Sequence, residues 1–289
     1  RCPARHAARG TRHSAESRGS RAEAEGLGAE GLRDLLAFIV SEAARDDRAE
    51  INGPTNSIPM PLPATPLNWE KGKTSVLLIG GGTSHDFKRF FGNTDSSTLT
   101  EAGFTVHYTE DRAQATELLS RADVAIVSVN RAFFDTINYR EAFMKRLASG
   151  KGVIMLHAGT WYGYEGWPEL NAKVVGGGAR GHDKLGPFQV EVVQAKHPIM
   201  VGVPASFDIV DELYYINAEG VPDGTSPITV LARTSPSQKY GKPHPSVWIT
   251  AHQKSRVVGI ALGHDERCHE HEVYKQILTN AATWISPHR

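Results

Sequence analysis

The chain has little of several things that would narrow its function quickly. Two cysteines, Cys2 and Cys268, stand among 289 residues, so no disulfide framework is implied. The haem-attachment motif CxxCH is missing, so no haem is expected in this chain. Net charge is zero at neutral pH, and bulk charge gives no reason to expect nucleic acid or an anionic membrane as partner. No apolar run approaches the ~20 residues of a membrane-spanning helix. No basic start followed by an apolar stretch marks a signal peptide. The glycine stretch GGGTSH lacks the third glycine of GxGxxG, since Gly80 and Gly82 are followed by His85. No Gly-Lys-Ser/Thr follows it either, so a nucleotide cofactor is not expected.

What is present divides by composition. Residues 1–29 are rich in Arg, Ala, Ser and Gly and begin with Arg1 rather than Met. They offer too little apolar surface to offset ordering entropy and are read as an arm that is either disordered or not native to the protein. A fused or lost N-terminal domain is an accompanying expectation. In residues 30–47, Leu32, Leu35, Leu36 and Ile39 recur at helical spacing, which predicts an isolated amphipathic helix. Residues 48–73 carry repeated prolines and read as a semi-rigid linker.

From residue 74 onward, apolar runs alternate with helical patterns. TSVLLI, FTVHYT, ADVAIVSV and GVIMLHA read as strands; DFKRFFGNTDSSTLTEAG, RAQATELLSRA and NYREAFMKRLASG read as helices. Such alternation predicts a parallel sheet covered by helices on both faces. FQVEVV, FDIVDELYY, ITVLARTS, HPSVWITA and RVVGIALGH read as further strands, and HEVYKQILTNAATWIS as a closing helix.

Polar clusters fall at predicted strand ends. Gly81, Gly82, His85 and Asp86 follow the first strand, and His157 follows VIML. His182 follows a second glycine cluster, Asp211 and Glu212 adjoin Tyr214, and His264 follows VVGIALG. Open α/β sheets bind ligands at that edge, and glycines there admit close approach of backbone to ligand. A shared cleft holding most of these residues is the expectation. Asp86 has a structural alternative, as cap of the following helix.

SVLLIGGGTSHDF, GKGVIMLHAGTWYG, ELNAKVVGGGARGH, KHPIMVGVPASFDIVDELYY, HPSVWI, RVVGIALGHD and NAATWI occur in an order that resembles the trehalose-utilisation (ThuA-like) family. The resemblance spans roughly residues 74–287, and the domain is taken as 74–289. It implies the flavodoxin-like parallel sheet of the class I glutamine amidotransferase superfamily. It also implies a small carbohydrate ligand and a bacterial setting, with an extracytoplasmic location favoured. His157 stands where an amidotransferase carries its nucleophilic cysteine, and the last loop resembles the one that supplies that superfamily's His and Glu, here His264 and Glu266. Without a thiolate, an acyl-enzyme route to glutamine hydrolysis is closed, so this is not a glutamine amidotransferase.

Two kinds of chemistry suit the remaining groups. His85, His157, His264, Asp211 and Glu212 form a candidate catalytic set for acid–base work on a disaccharide or keto-sugar, of hydrolase, lyase or isomerase type. Alternatively His182, Glu212 and His264 hold one divalent ion, zinc or similar, with water in the open position. Gly81, Gly82, Asp86, Trp161, Tyr162 and Tyr214 are candidate substrate-binding residues, the aromatics offering apolar faces to a sugar ring. A paired-carboxylate glycosidase is disfavoured, because adjacent Asp211 and Glu212 point to opposite faces of a strand. A non-catalytic sugar-binding module attached to a larger protein is the alternative of a different class.

Overall fold

In a computed structural model, residue 67 and residues 69–130, 136–161 and 167–287 are described. The expected arm at 1–29, the helix at 30–47, nearly all of the linker before residue 69, and Tyr162 lie outside the described residues.

Five strands form one half of the sheet, from an edge to its centre. They are β1 (Ser75–Gly81), β2 (Thr105–Thr109), β3 (Val124–Val129), β4 (Val153–Leu156) and, far along the chain, β11 (Val257–Ile260). All pair in parallel in the order β2-β1-β3-β4-β11. This is the flavodoxin-like order, with its switch point between β1 and β3. Alternate residues enter opposite cores. Val76, Leu78, Ile126 and Ile154 face one side; Leu77, Ile79, Val127 and Met155 face the other. Burial on both faces explains why β1, β3, β4 and β11 read as nearly unbroken apolar runs, while β2 at the sheet edge is only partly buried and mixes polar residues.

On the first face pack a π-helical segment Lys88–Asp95, the helix α1 (Ser96–Glu101) that continues it, and the C-terminal α5 (Glu272–Ile285). On the second pack α2 (Arg112–Leu118) and α3 (Ile137–Ala148). Beyond β11 the sheet continues antiparallel through β10 (Pro245–Thr250), β9 (Ile228–Thr234), β6 (Gly186–Val192) and β7 (Ser206–Asp211), reaching nine strands. The parallel sheet read from sequence is therefore the central part of a mixed one.

FDIVDELYY, read as one strand, is two. After Asp211 the chain leaves the large sheet, and β8 (Tyr214–Ile216) pairs instead with β5 (Ala179–His182) in a small two-stranded sheet. Its register sets His182 opposite Tyr214. Glu212 lies in the crossing between the two sheets. That crossing, not strand alternation, determines where the carboxylate points.

Candidate functional site

The carboxyl ends of β1, β3, β4 and β11 open into one cavity of about 260 Å³. Ser84, His85, Asn130, Ala158, Trp161, His182, Glu212, Tyr214 and His264 line it. It sits over the switch point, where doubly wound sheets leave a crevice between diverging connections.

His157 is the first residue after β4 and begins a short 3₁₀ turn through Thr160. Its φ of +40° is in the left-handed region, which a non-glycine residue adopts only when its surroundings enforce it. Gly159 is required two residues on, because a Cβ there would lie 2.3 Å from the Val127 carbonyl. The fully buried His157 ring stacks on Tyr214 with centroids 4.5 Å apart. Its Nδ1 donates to the Ala261 carbonyl at 2.7 Å, so Nε2 presents a lone pair.

His85 meets it from the opposite wall. The Ser84 hydroxyl donates to Oδ1 of Asn130 in a short contact, and so it accepts from Nδ1 of His85 at 2.6 Å. The Nε2 atoms of His85 and His157 then face each other 3.0 Å apart, both as lone pairs. The Tyr214 hydroxyl, 3.0 Å from Nε2 of His157, donates to that nitrogen. His264 adds a third nitrogen. Its buried Nδ1 is 3.1 Å from Oε2 of Glu212, an ion-pair contact. Oε2 of Glu212 is also 3.8 Å from Nε2 of His157.

Burial and the neighbouring His264 push the His85 imidazole down to about 4. Burial, with His85 close by, holds His157 well below the ordinary imidazole range. Burial would raise Glu212, but the His264 contact and nearby imidazole charge outweigh it and keep the carboxyl below its usual range. The Glu212 carboxylate in turn holds His264 up. Burial, then Glu212 and Asp211, drives the Tyr214 phenol far above its ordinary range, so it stays a proton donor.

Donor atoms from His85, His157, Glu212 and His264 lie within 4.8 Å of one another, close enough to share a metal ion. A tetrahedral ion with Zn–N bonds near 2.05 Å spaces its ligands about 3.3 Å apart. The 3.0, 3.1 and 3.8 Å separations bracket that spacing. His182 stands at the edge of the group. Its Nδ1 is 3.4 Å from Oε1 of Glu212 and 2.9 Å from its neighbour's carbonyl, that of Asp183.

Other residues singled out from sequence fall elsewhere. Asp211 is fully buried beneath the loop after β11 and accepts from the N–H groups of Glu212, Gly263 and His264. Asp86 accepts from the Arg89 N–H, the capping role. Glu266 does not accompany His264; it lies near the surface, 3.7 Å from Arg89. Trp167, next in line after Trp161, is buried against Tyr139 and Phe143 rather than beside a ligand space. Cys268 is free and fully buried. Ser84 and Asn130, which fix His85, were not singled out, although Asn130 is the polar residue directly after an apolar strand.

Gly82 is shaped by this wall. Its φ is +120°, and a Cβ there would sit 2.4 Å from Cβ of Asn130. Gly82→Ala is expected to displace Asn130, release the Ser84–His85 contact and cost about 1–3 kcal/mol. Urea denaturation checks this; an unchanged midpoint would show that the wall gives way freely.

The fold and cavity together define an α/β protein with a histidine–carboxylate site at the switch point of a flavodoxin-like sheet. The chain belongs to the ThuA family, described as trehalose utilisation, whose model matches residues 75–285. Among solved structures it is similar to a ThuA-like protein from Parabacteroides merdae, with TM-score 0.63, 18% identity, and coverage of 74% of this chain and 90% of that one. A ThuA-like protein from Bacteroides uniformis gives TM-score 0.63 and 21% identity, covering 76% and 94%. A cytoplasmic protein from Salmonella typhimurium gives TM-score 0.50 and 13% identity, covering 73% and 98%. At these identities the likeness speaks to fold alone. No curated protein matches the chain in sequence.

Proposed function

We propose that this ThuA-family protein is a sugar-modifying enzyme that binds one divalent cation through His85, His157, Glu212 and His264. The observation carrying the reading is the convergence of three imidazoles and one carboxylate, whose donor atoms all lie within 4.8 Å of one another. Such a donor set, nitrogen from imidazole with one carboxylate oxygen, suits zinc or a similar ion. When bound, the ion would supply Lewis acidity toward a carbonyl or carbinol oxygen.

The chain's own groups support a neutral, hydroxyl-rich ligand. The described lining is made of imidazoles, a carboxylate, a carboxamide, a serine hydroxyl, a phenol and an indole, groups that suit a hydroxyl-rich ligand. Trp161, edge-on to both His182 and Tyr214, offers an apolar wall to a sugar's C–H face. Ser84 and Asn130 offer hydrogen-bonding groups to hydroxyls. His182 donates through Nδ1 to Asp183, which leaves Nε2 to take or return a proton. Tyr214 keeps its proton, and its hydroxyl, which donates to Nε2 of His157 here, would be freed for a substrate oxygen once that nitrogen held an ion. Asp211 serves as a positioning residue, because its carboxylate holds the backbone at Gly263 and His264.

Incubation with oxidised disaccharides, followed by NMR with and without chelator, tests the reading. Turnover abolished by chelator and restored by zinc is expected. Turnover indifferent to chelator would remove the ion from the chemistry, and sugar binding without turnover would favour a binding module.

A further inference from the structure

Behind the cavity wall lies a second, fully buried polar cluster that the proposed chemistry does not use. Asp95, His269 and Tyr274 are all solvent-inaccessible. They come from the end of the π-helical segment, from α4 (Glu266–His269) and from α5. Nδ1 of His269 is 2.7 Å from Oδ1 of Asp95, and the Tyr274 hydroxyl donates to Oδ2 of the same carboxylate at 3.0 Å. Nε2 of His269 is 3.0 Å from the Gly263 carbonyl.

Both ring nitrogens of His269 therefore face acceptors. A neutral imidazole has one N–H and satisfies only one of them; an imidazolium satisfies both. A lone buried carboxylate is expensive, and a buried imidazolium beside it is the economical arrangement. Rings of Phe90 and Phe91 enclose the imidazole on its open sides, with centroids 5.5 and 4.7 Å away. Asp211 also favours the charge, the Tyr274 hydroxyl shares the Asp95 carboxylate, and the imidazoles of His85 and His157 lie close enough to be repelled by it. Burial works against the charge, but Asp95 outweighs it and holds His269 above the ordinary imidazole range.

The Gly263 carbonyl is the point of contact with the cavity. Gly263 has a φ of +130°, its N–H donates to Asp211, and His264 follows it directly. Peptide 263 is thus held from both ends: by Asp211 at its amide and by His269 at its carbonyl. We propose that His269 is a positioning residue of the candidate site, a permanently protonated imidazolium that, clamped by Asp95, fixes the Gly263 carbonyl and so aims His264 at the donor cluster. This rests on His264 being a site residue, but the device can be tested without any ion.

The experiment uses ¹⁵N-histidine spectra and amide hydrogen exchange of the metal-free protein. For the wild type, His269 is expected to show two protonated nitrogens through pH 8. Asp95→Asn should convert the ring to a neutral tautomer and accelerate exchange at the Gly263 and His264 amides at least tenfold. The amides of β1 and β3 should be unaffected, which general destabilisation would not produce. His269→Gln, which keeps one N–H for Gly263 without the charge, is the second variant should Asp95→Asn fold poorly; it should loosen the same two amides. A neutral His269 in the wild type, or loop amides unchanged in the variants, would overturn the proposal. Zinc titration of the same samples keeps the readings apart. A wild type that takes no zinc would sink the metal reading and leave the exchange result standing. If zinc binds, Asp95→Asn should weaken it by about 10–100-fold, the effect of losing a supporting partner.

Discussion

Glu212→Gln is expected to lower divalent-ion affinity by more than about 100-fold, beyond the 10–100-fold that loss of a supporting partner costs. Glu212 is the one carboxylate that approaches His157, His182 and His264 together. An amide of the same shape keeps the packing but removes the only anionic donor from the group. His264→Ala should act similarly by removing a nitrogen. Asp86→Asn, a change at an exposed helix cap, should leave affinity within about twofold and serves as control. Isothermal titration with zinc measures all three. If Glu212→Gln bound zinc as tightly as the wild type, the carboxylate would have no part in the site.

Arg146→Met is expected to cost about 3–5 kcal/mol of stability. Arg146 is a buried cation on α3 without a carboxylate hydrogen bond among its described contacts. Its guanidinium donates five hydrogen bonds to the carbonyls of Leu119, Ala122, Asp123 and Gly152, at 2.7–3.0 Å. These carbonyls belong to the connections entering β3 and β4, the strands that deliver Asn130 and His157. Methionine fills much of the volume and leaves the carbonyls short of donors. Arg146→Lys should recover only part, since an ammonium cannot fork across four acceptors. Urea denaturation reads both; a loss below about 1 kcal/mol for Arg146→Met would show that water or rearrangement satisfies the carbonyls.

The parallel core was legible because strands covered on both faces leave continuous apolar runs such as SVLLI and VAIVSV. His85, His157 and His264 were legible for a related reason: polar residues directly beyond such runs fall at one sheet edge. What was not legible depends on contacts distant in sequence. Adjacency alone set Asp211 and Glu212 facing opposite ways, but not that one would be buried under a loop 52 residues later in the chain while the other enters the cavity. That separation comes from the switch between sheets, which FDIVDELYY does not signal because it is apolar enough throughout to read as one strand. The resemblance to the amidotransferase loop made Glu266 a partner for His264, but the turn into α4 carries it toward Arg89. The short sequence separation of Trp161 and Trp167 likewise hid one wall residue and one core residue. The Asp95–His269 pair joins groups 174 positions apart, and no local pattern marks it.

Elemental analysis of protein purified without an affinity tag, with stoichiometry compared between wild type and His157→Ala, tests the central claim most directly. One zinc or similar divalent ion per wild-type chain, and well under a tenth of that in His157→Ala, is the predicted result. A wild type free of divalent metal, which also fails to take up zinc, manganese or nickel at micromolar concentration, would contradict the account.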